Sequence, residues 1–278
     1  MKAIICIALL CASVGAACPL PAHAHVLEGK HILYLMLEKM SLPGSFLMHR
    51  QVTHYDPDTG DVVAEGREAQ WFRMPEQFRS EMEADGLSRI YVASGDRSII
   101  VINNRVISEA DIWTDYCKNI FWYRSLDRLE HFLESAGMDV SVTSLGRFQG
   151  QIAFVIGDVY PSESSPQLWV TRETFRPLRW LFQTEDPISG SGALEFRFGE
   201  WKQYSGVRFP SRIEFFVDQR LIRSVTVETG TTAPTLAPEL FDIDHIRRMS
   251  ESDESDAADA EPDAEIQRRI EDFKRIYE

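Results

Sequence analysis

Apolar and polar positions alternate along most of this chain, and the pattern is clearest between Asp61 and Ala84. Arg67, Ala69, Trp71 and Arg73 fall on one side of an extended segment and Glu68, Gln70, Phe72 and Met74 on the other, because successive side chains leave opposite faces of a pleat. Pro75 lacks a backbone N–H and marks the turn. Phe78 and Arg79 then open a return strand. The same period predicts strands over 46–55, 88–93, 97–102 and 105–107, with Asp-Gly, Ser-Gly-Asp and Asn-Asn turns between them. After a break it predicts further strands over 140–145, 151–160, 167–171, 178–183, 193–204, 207–217 and 220–228. Short strands with frequent turn signals and no long linker describe one large, strongly curved antiparallel sheet rather than two domains.

Helical spacing interrupts the strands in three places. Residues 26–40 carry a broad apolar surface with few polar positions, as in a helix buried on most sides or covering something apolar. Between Ala110 and Ala136 the period is again helical, with Leu126, Leu129, Phe132 and Leu133 on one face. The aromatic stretch 112–123 reads as an irregular helix-loop segment that plugs onto the sheet. Residues 249–265 are rich in Ser, Asp, Glu and Ala and read as a disordered acidic linker. Ile266, Ile270 and Phe273 then share a helical face in 266–278, a helix too short to stand alone in water, so it docks or folds on a partner.

The first residues change the organisation. Lys2, an apolar run from Ala3 to Ala17 and Ala22-His23-Ala24 have the form of a secretory signal, with cleavage expected after Ala24. The competing form is a lipoprotein acylated at Cys18, but Gly15-Ala16-Ala17-Cys18 lacks the leucine usual three residues before such a cysteine. The layout is therefore a leader over 1–24, a main domain over 25–248, the acidic linker over 249–265 and the terminal helix over 266–278. Removing the leader leaves about 250 residues, enough for one large core. It also leaves Cys117 as the sole cysteine, so no internal disulfide supports that core, and its apolar neighbours make it a buried thiol.

The net charge of −14 excludes the basic footprint that a nucleic-acid partner needs. Sequence signals for catalysis are missing: there is no Gly-x-Ser-x-Gly, phosphate-cradling glycine loop, Cys-x-x-Cys or His-Glu-x-x-His. A mature N-terminal His25 would begin a copper brace, but spacing marks no second histidine. His49 and His54 lie five apart in a strand and face opposite ways. Asp56, Asp58 and Asp61 surround Gly60 without the distal glutamate of a calcium loop, so they read as a solvated turn. The reading is of a non-enzyme with no catalytic residue, metal or cofactor.

Two stretches carry a resemblance. One is Trp71-Phe72-Arg73-Met74-Pro75-Glu76-Gln77-Phe78-Arg79 and the other Tyr204-Ser205-Gly206-Val207-Arg208-Phe209-Pro210. With the leader, the apolar first helix and the central plug, they resemble the LolA/LolB-like superfamily of periplasmic lipoprotein carriers and sorting proteins, as a divergent member. Met74 stands where those carriers usually have arginine. The resemblance implies an unclosed β-barrel, lidded by helices on its concave face, that encloses an apolar cavity for acyl chains. The implied location is the periplasm, and the implied partner is a lipid or lipidated protein. Cavity candidates are Trp71, Phe78, Phe154, Trp169, Trp180, Phe196, Phe209 and Phe215, each of which could equally be plain core. Arg73 and Arg79 could meet a phosphate or ester head at the rim, or pair with Glu68 or Glu81. The second reading is an interaction or sensor module whose terminal helix binds an envelope protein.

Overall fold

The alternating segments form thirteen antiparallel strands: β1 (Ser45–Tyr55), β2 (Val62–Arg73), β3 (Gln77–Ala84), β4 (Leu87–Ser94), β5 (Arg97–Ile102), β6 (Arg105–Ser108), β7 (Thr143–Phe148), β8 (Gln151–Ile156), β9 (Gln167–Thr171), β10 (Pro177–Asp186), β11 (Gly190–Tyr204), β12 (Val207–Val217) and β13 (Arg220–Thr232). The computed structural model describes residues 26–40, 43–84, 86–186, 190–232 and 235–257, together with 268, 270, 271, 273 and 274. The leader, the Ala24 cleavage site, Cys18, residues 258–265 of the linker and most of the terminal helix lie outside the described residues.

Sheet order is β6-β5-β4-β3-β2-β1-β13-β12-β11-β10-β9-β8-β7. Two meanders, β1 to β6 and β7 to β13, are thus stitched by one pairing, β1 with β13. The sheet does not close, and it has the form of an open half-barrel. Tight turns make the meanders possible: Asn103 and Asn104 both take positive φ in the β5–β6 hairpin, the backbone that a two-residue turn demands.

The topology also explains the helices. The chain leaves β6 at one edge of the sheet and must re-enter at β7 on the other. The connection crosses the inner face as a 3₁₀ turn (Trp113–Asp115), α2 (Cys117–Trp122) and α3 (Leu126–Ser135). The helix preceding β1, α1 (Gly29–Lys39), packs beside α3. Ile32, Leu33, Met36 and Leu37 of α1, Ile120, Phe121 and Trp122 of α2, and Leu129 and Leu133 of α3 join the inner-face residues in one buried cluster. Gly29 lets α1 approach closely: a Cβ there would stand 2.0 Å from the Val140 carbonyl oxygen.

The outer face is covered locally. A 3₁₀ turn (Pro238–Phe241) leads into α4 (Ile243–Ala257), whose Ile243 and Ile246 pack on Val92, Ile99 and Val101. This helix enters the stretch whose composition reads as disordered. Its first turns are anchored: Arg97 grips Asp244 through two hydrogen bonds of 2.6 and 3.1 Å, and Arg247 reaches Glu109 at 2.6 Å. Tertiary contact at one end carries helix into a segment that has little to bury by itself.

Candidate functional site

The site is built from the inner face and what lies on it. Phe78 on β3, Phe154 on β8, Trp180 on β10, Phe196 on β11, and Phe209 and Phe215 on β12 all fall in the inner cluster. The helical connection presses its own rings onto them. Phe121 lies 4.5 Å from Phe209, Phe132 lies 5.4 Å from Trp180, and Trp113 stacks on Phe196 at 6.5 Å. Aromatic pairs at these separations attract beyond simple burial. Where these rings lie the inner face is apolar, and here the plug fills it.

The other two rings lie elsewhere. Trp71 pairs with Arg79 across β2 and β3, on the alternate face from Phe72 and Phe78. Trp169 packs with Ala153, Val155, Leu178 and Leu181 in a separate outer cluster. Arg73 and Arg79 also take the outer face. Arg79 binds Glu81 at 2.7 Å and the Leu240 carbonyl at 2.8 Å, and Arg73 stands 6.0 Å from the Phe241 ring. Both arginines are thus engaged with the segment that leads into α4.

Polar contacts pin the plug. Arg89 on β4 reaches Asp115 at 2.6 Å, and Asp111 accepts from Lys118 at 2.7 Å and from the Tyr91 hydroxyl at 2.6 Å. Burial works to raise the Asp111 carboxyl, but Lys118 and Tyr91 outweigh it and hold it below the usual range. Arg124 donates to the Leu37 carbonyl at 2.6 Å and so ties the connection to α1.

At the seam between the meanders lies a charged group that the sequence analysis does not anticipate. Arg50 on β1 sits opposite Glu68 on β2, and His54 opposite Arg223 on β13. Glu68 Oε2 accepts from Arg50 at 2.5 Å and lies 3.7 Å from Arg223. Its Oε1 accepts from Ser80 at 2.5 Å and Gln70 at 2.9 Å. Burial opposes ionisation of Glu68, yet Arg50, Arg223 and Ser80 prevail and hold it at about 2. Burial, reinforced by Arg223, depresses His54 to about 3. Cys117 lies against this group, and burial pushes its thiol up to about 11, which keeps it protonated at neutral pH.

No family model matches the chain, and no curated protein does. Solved structures do. A protein described as an outer membrane lipoprotein-sorting protein domain, from Vibrio parahaemolyticus, aligns with a TM-score of 0.51 at 12% identity, over 79% of this chain and 98% of that one. A LolA superfamily protein from Nitrosomonas europaea gives 0.52 at 14% identity, over 79% and 100%. The fold is LolA-like. A DUF1329 family protein from Desulfovibrio piger gives 0.50 at 12% identity, over 78% and 97%. At such identities the likeness speaks for the half-barrel and its helical cover.

The described residues hold no group of three or more potential metal ligands. The Asp56 loop is a turn: its carboxylate accepts the amides of Asp58 and Thr59 at 2.9 and 2.8 Å. His49 is exposed and His54 buried, on opposite faces of β1. Among the described residues no helix is long and apolar enough to cross a membrane.

Proposed function

We propose that this protein is a periplasmic, non-enzymatic carrier that binds a lipid or the acyl chains of a lipidated protein on the inner face of its half-barrel. The observation that supports it is the single apolar cluster to which Phe78, Phe154, Trp180, Phe196, Phe209 and Phe215 all belong, under a helical cover held by polar contacts. A buried methylene gains about 0.8 kcal/mol, so a palmitoyl chain brings on the order of 12 kcal/mol. Much of that gain offsets the burial that Trp113, Phe121 and Trp122 give up when they make room, because one apolar group replaces another. Binding is thus an exchange of plug for ligand, and it is readily reversed, as a carrier requires.

A terminal helix that serves an envelope partner fits less well. Ile270 and Phe273 are 3% and 2% exposed and belong to the inner cluster. A partner would first have to extract them.

The test is native mass spectrometry of the mature chain purified from its own periplasm, with organic extraction. A stoichiometric acyl-bearing ligand is expected. A clean apo mass, together with no uptake of a fluorescent fatty acid, would overturn the carrier reading.

A further inference from the structure

Between α2 and the seam lies an enclosed space of about 10 Å³, lined by Arg50, Gln70, Thr114, Asp115, Cys117 and Arg223 among others. Three hydrogen-bonding groups in its walls are left without a partner. Arg50 Nε, Arg223 Nε and Thr114 Oγ1 are buried, and none has a hydrogen-bond partner among the described residues. Buried donors are nearly always satisfied, and each orphan costs free energy. Several orphans at one space are a constellation rather than an accident.

Charge points the same way. Arg223 is 6% exposed, and the carboxylate beside it, Glu68, stands 3.7 Å away and is already engaged by Arg50 at 2.5 Å. Both Glu68 oxygens are in use, since Ser80 and Gln70 hold the other. Asp115, the other carboxylate at this space, is taken by Arg89 at 2.6 Å. The Phe215 ring, 5.0 Å from the guanidinium carbon of Arg223, adds support but no charge. One carboxylate shared by two guanidiniums leaves Arg223 short of a counter-charge.

We propose that the Arg50–Glu68–Arg223 seam is the head-group site for an amphiphile with a single negative charge, whose acyl chain lies along the adjoining aromatic inner face. This rests on the carrier reading above and names its ligand class. A carboxylate offers two acceptors and one charge, which is what the orphan donors and Arg223 lack. Phe209 and Ile213 line the same space, so the chain of a bound fatty acid would pass directly from the seam onto the apolar surface. A space of this size holds no more than about one water. The head therefore enters as α2 lifts, and the seam is a preformed donor set beneath the plug.

Calorimetric titration of the full mature chain at pH 7.5 tests this, with laurate, 1-dodecanol and dodecyltrimethylammonium each below its micellar concentration. Laurate should bind at least tenfold more tightly than 1-dodecanol, and the cation no better than the alcohol. Arg223→Met keeps bulk without charge. It should bring laurate to the level of 1-dodecanol. Equal affinities for all three in the wild type, or a laurate preference retained in Arg223→Met, would overturn the head-group site and leave the carrier reading standing. No binding of any of the three would overturn both. Should Arg223→Met fail to fold, the order of the amphiphiles on the wild type decides the matter alone.

Discussion

His54 makes stability depend on pH in a window where few other groups act. Burial holds its imidazole at about 3, against 6.5 when free. Between those values the unfolded chain binds a proton that the folded chain refuses. Stability is therefore unaffected above about pH 7.5 and falls as pH drops, by up to about 1.4 kcal/mol per pH unit. The loss amounts to about 2 kcal/mol between pH 7.5 and 5, and to roughly 4 to 5 kcal/mol by pH 3. Glu68 works lower down. Its carboxyl is held at about 2 against 4.5, so the stability it contributes is present above about 4.5 and is lost only as pH falls from there towards 2. The range above pH 5 thus isolates the histidine. Urea unfolding of the wild type and of His54→Gln, followed by tryptophan fluorescence at half-unit steps from pH 7.5 to 5, gives two curves of free energy against pH. The wild-type curve should fall by about 2 kcal/mol more than the variant's over the range. Parallel curves would refute the reasoning, since they would mean that His54 protonates in the folded protein at its ordinary pH.

Three further outcomes follow from packing. Gly29→Ala places a Cβ 2.0 Å from a backbone oxygen that cannot rotate away, whereas a Cβ at Gly44 would have nothing within 4 Å. The first should cost roughly 1 to 3 kcal/mol and Gly44→Ala far less, and equal melting temperatures would contradict the close approach of α1. Phe273→Ala should destabilise by roughly 3 kcal/mol, because its ring is buried in the main cluster. A change below about 1 kcal/mol in a urea titration would detach the terminal segment from the cooperative core. Cys117, buried and with its thiol pushed up to about 11, should resist iodoacetamide at pH 8 in the native protein and react once the chain is unfolded in urea. Fast native labelling would show that α2 lifts without a ligand.

Much of the architecture is legible in the alternation itself. Strand parity separates Phe72 from Trp71 on β2 from the sequence alone, and the β2–β3 register then sets Phe78 with Phe72 and Arg79 with Trp71. Trp71 joins the cavity candidates on ring size, yet its own parity sets it apart from Phe72. Trp169 sits among Leu168 and Val170, a run apolar on both faces, where alternation carries no sign. The extent of α4 is hidden for a different reason: the sequence over 249–257 is mostly Ser, Asp, Glu and Ala with almost no large apolar side chain, and helix there depends on Ile243 and Ile246 finding the outer face of β4 and β5.

The seam is hidden in the sequence for a topological reason. Glu68 and Gln70 share parity with Phe72, so the sequence does place a carboxylate on the apolar side of β2. An acid there must find a cation or lose its charge, because burial alone would raise its pKa. One cation, Arg50, comes from the neighbouring strand of the β1–β2 hairpin, whereas the second, Arg223, comes through the β1–β13 pairing, which joins residues as distant in sequence as His54 and Arg223. Alternation gives each strand its faces but not its neighbour, and the strand order that brings Arg223 to Glu68 is set by how the two meanders meet. The same meeting forces the 109–142 connection across the whole inner face. The arrival of Arg223 at Glu68 and the aromatic cover are therefore two consequences of one pairing: the strand contact that brings the second guanidinium to the acid also drapes the plug over it. A ligand that displaces the plug uncovers the seam in the same motion.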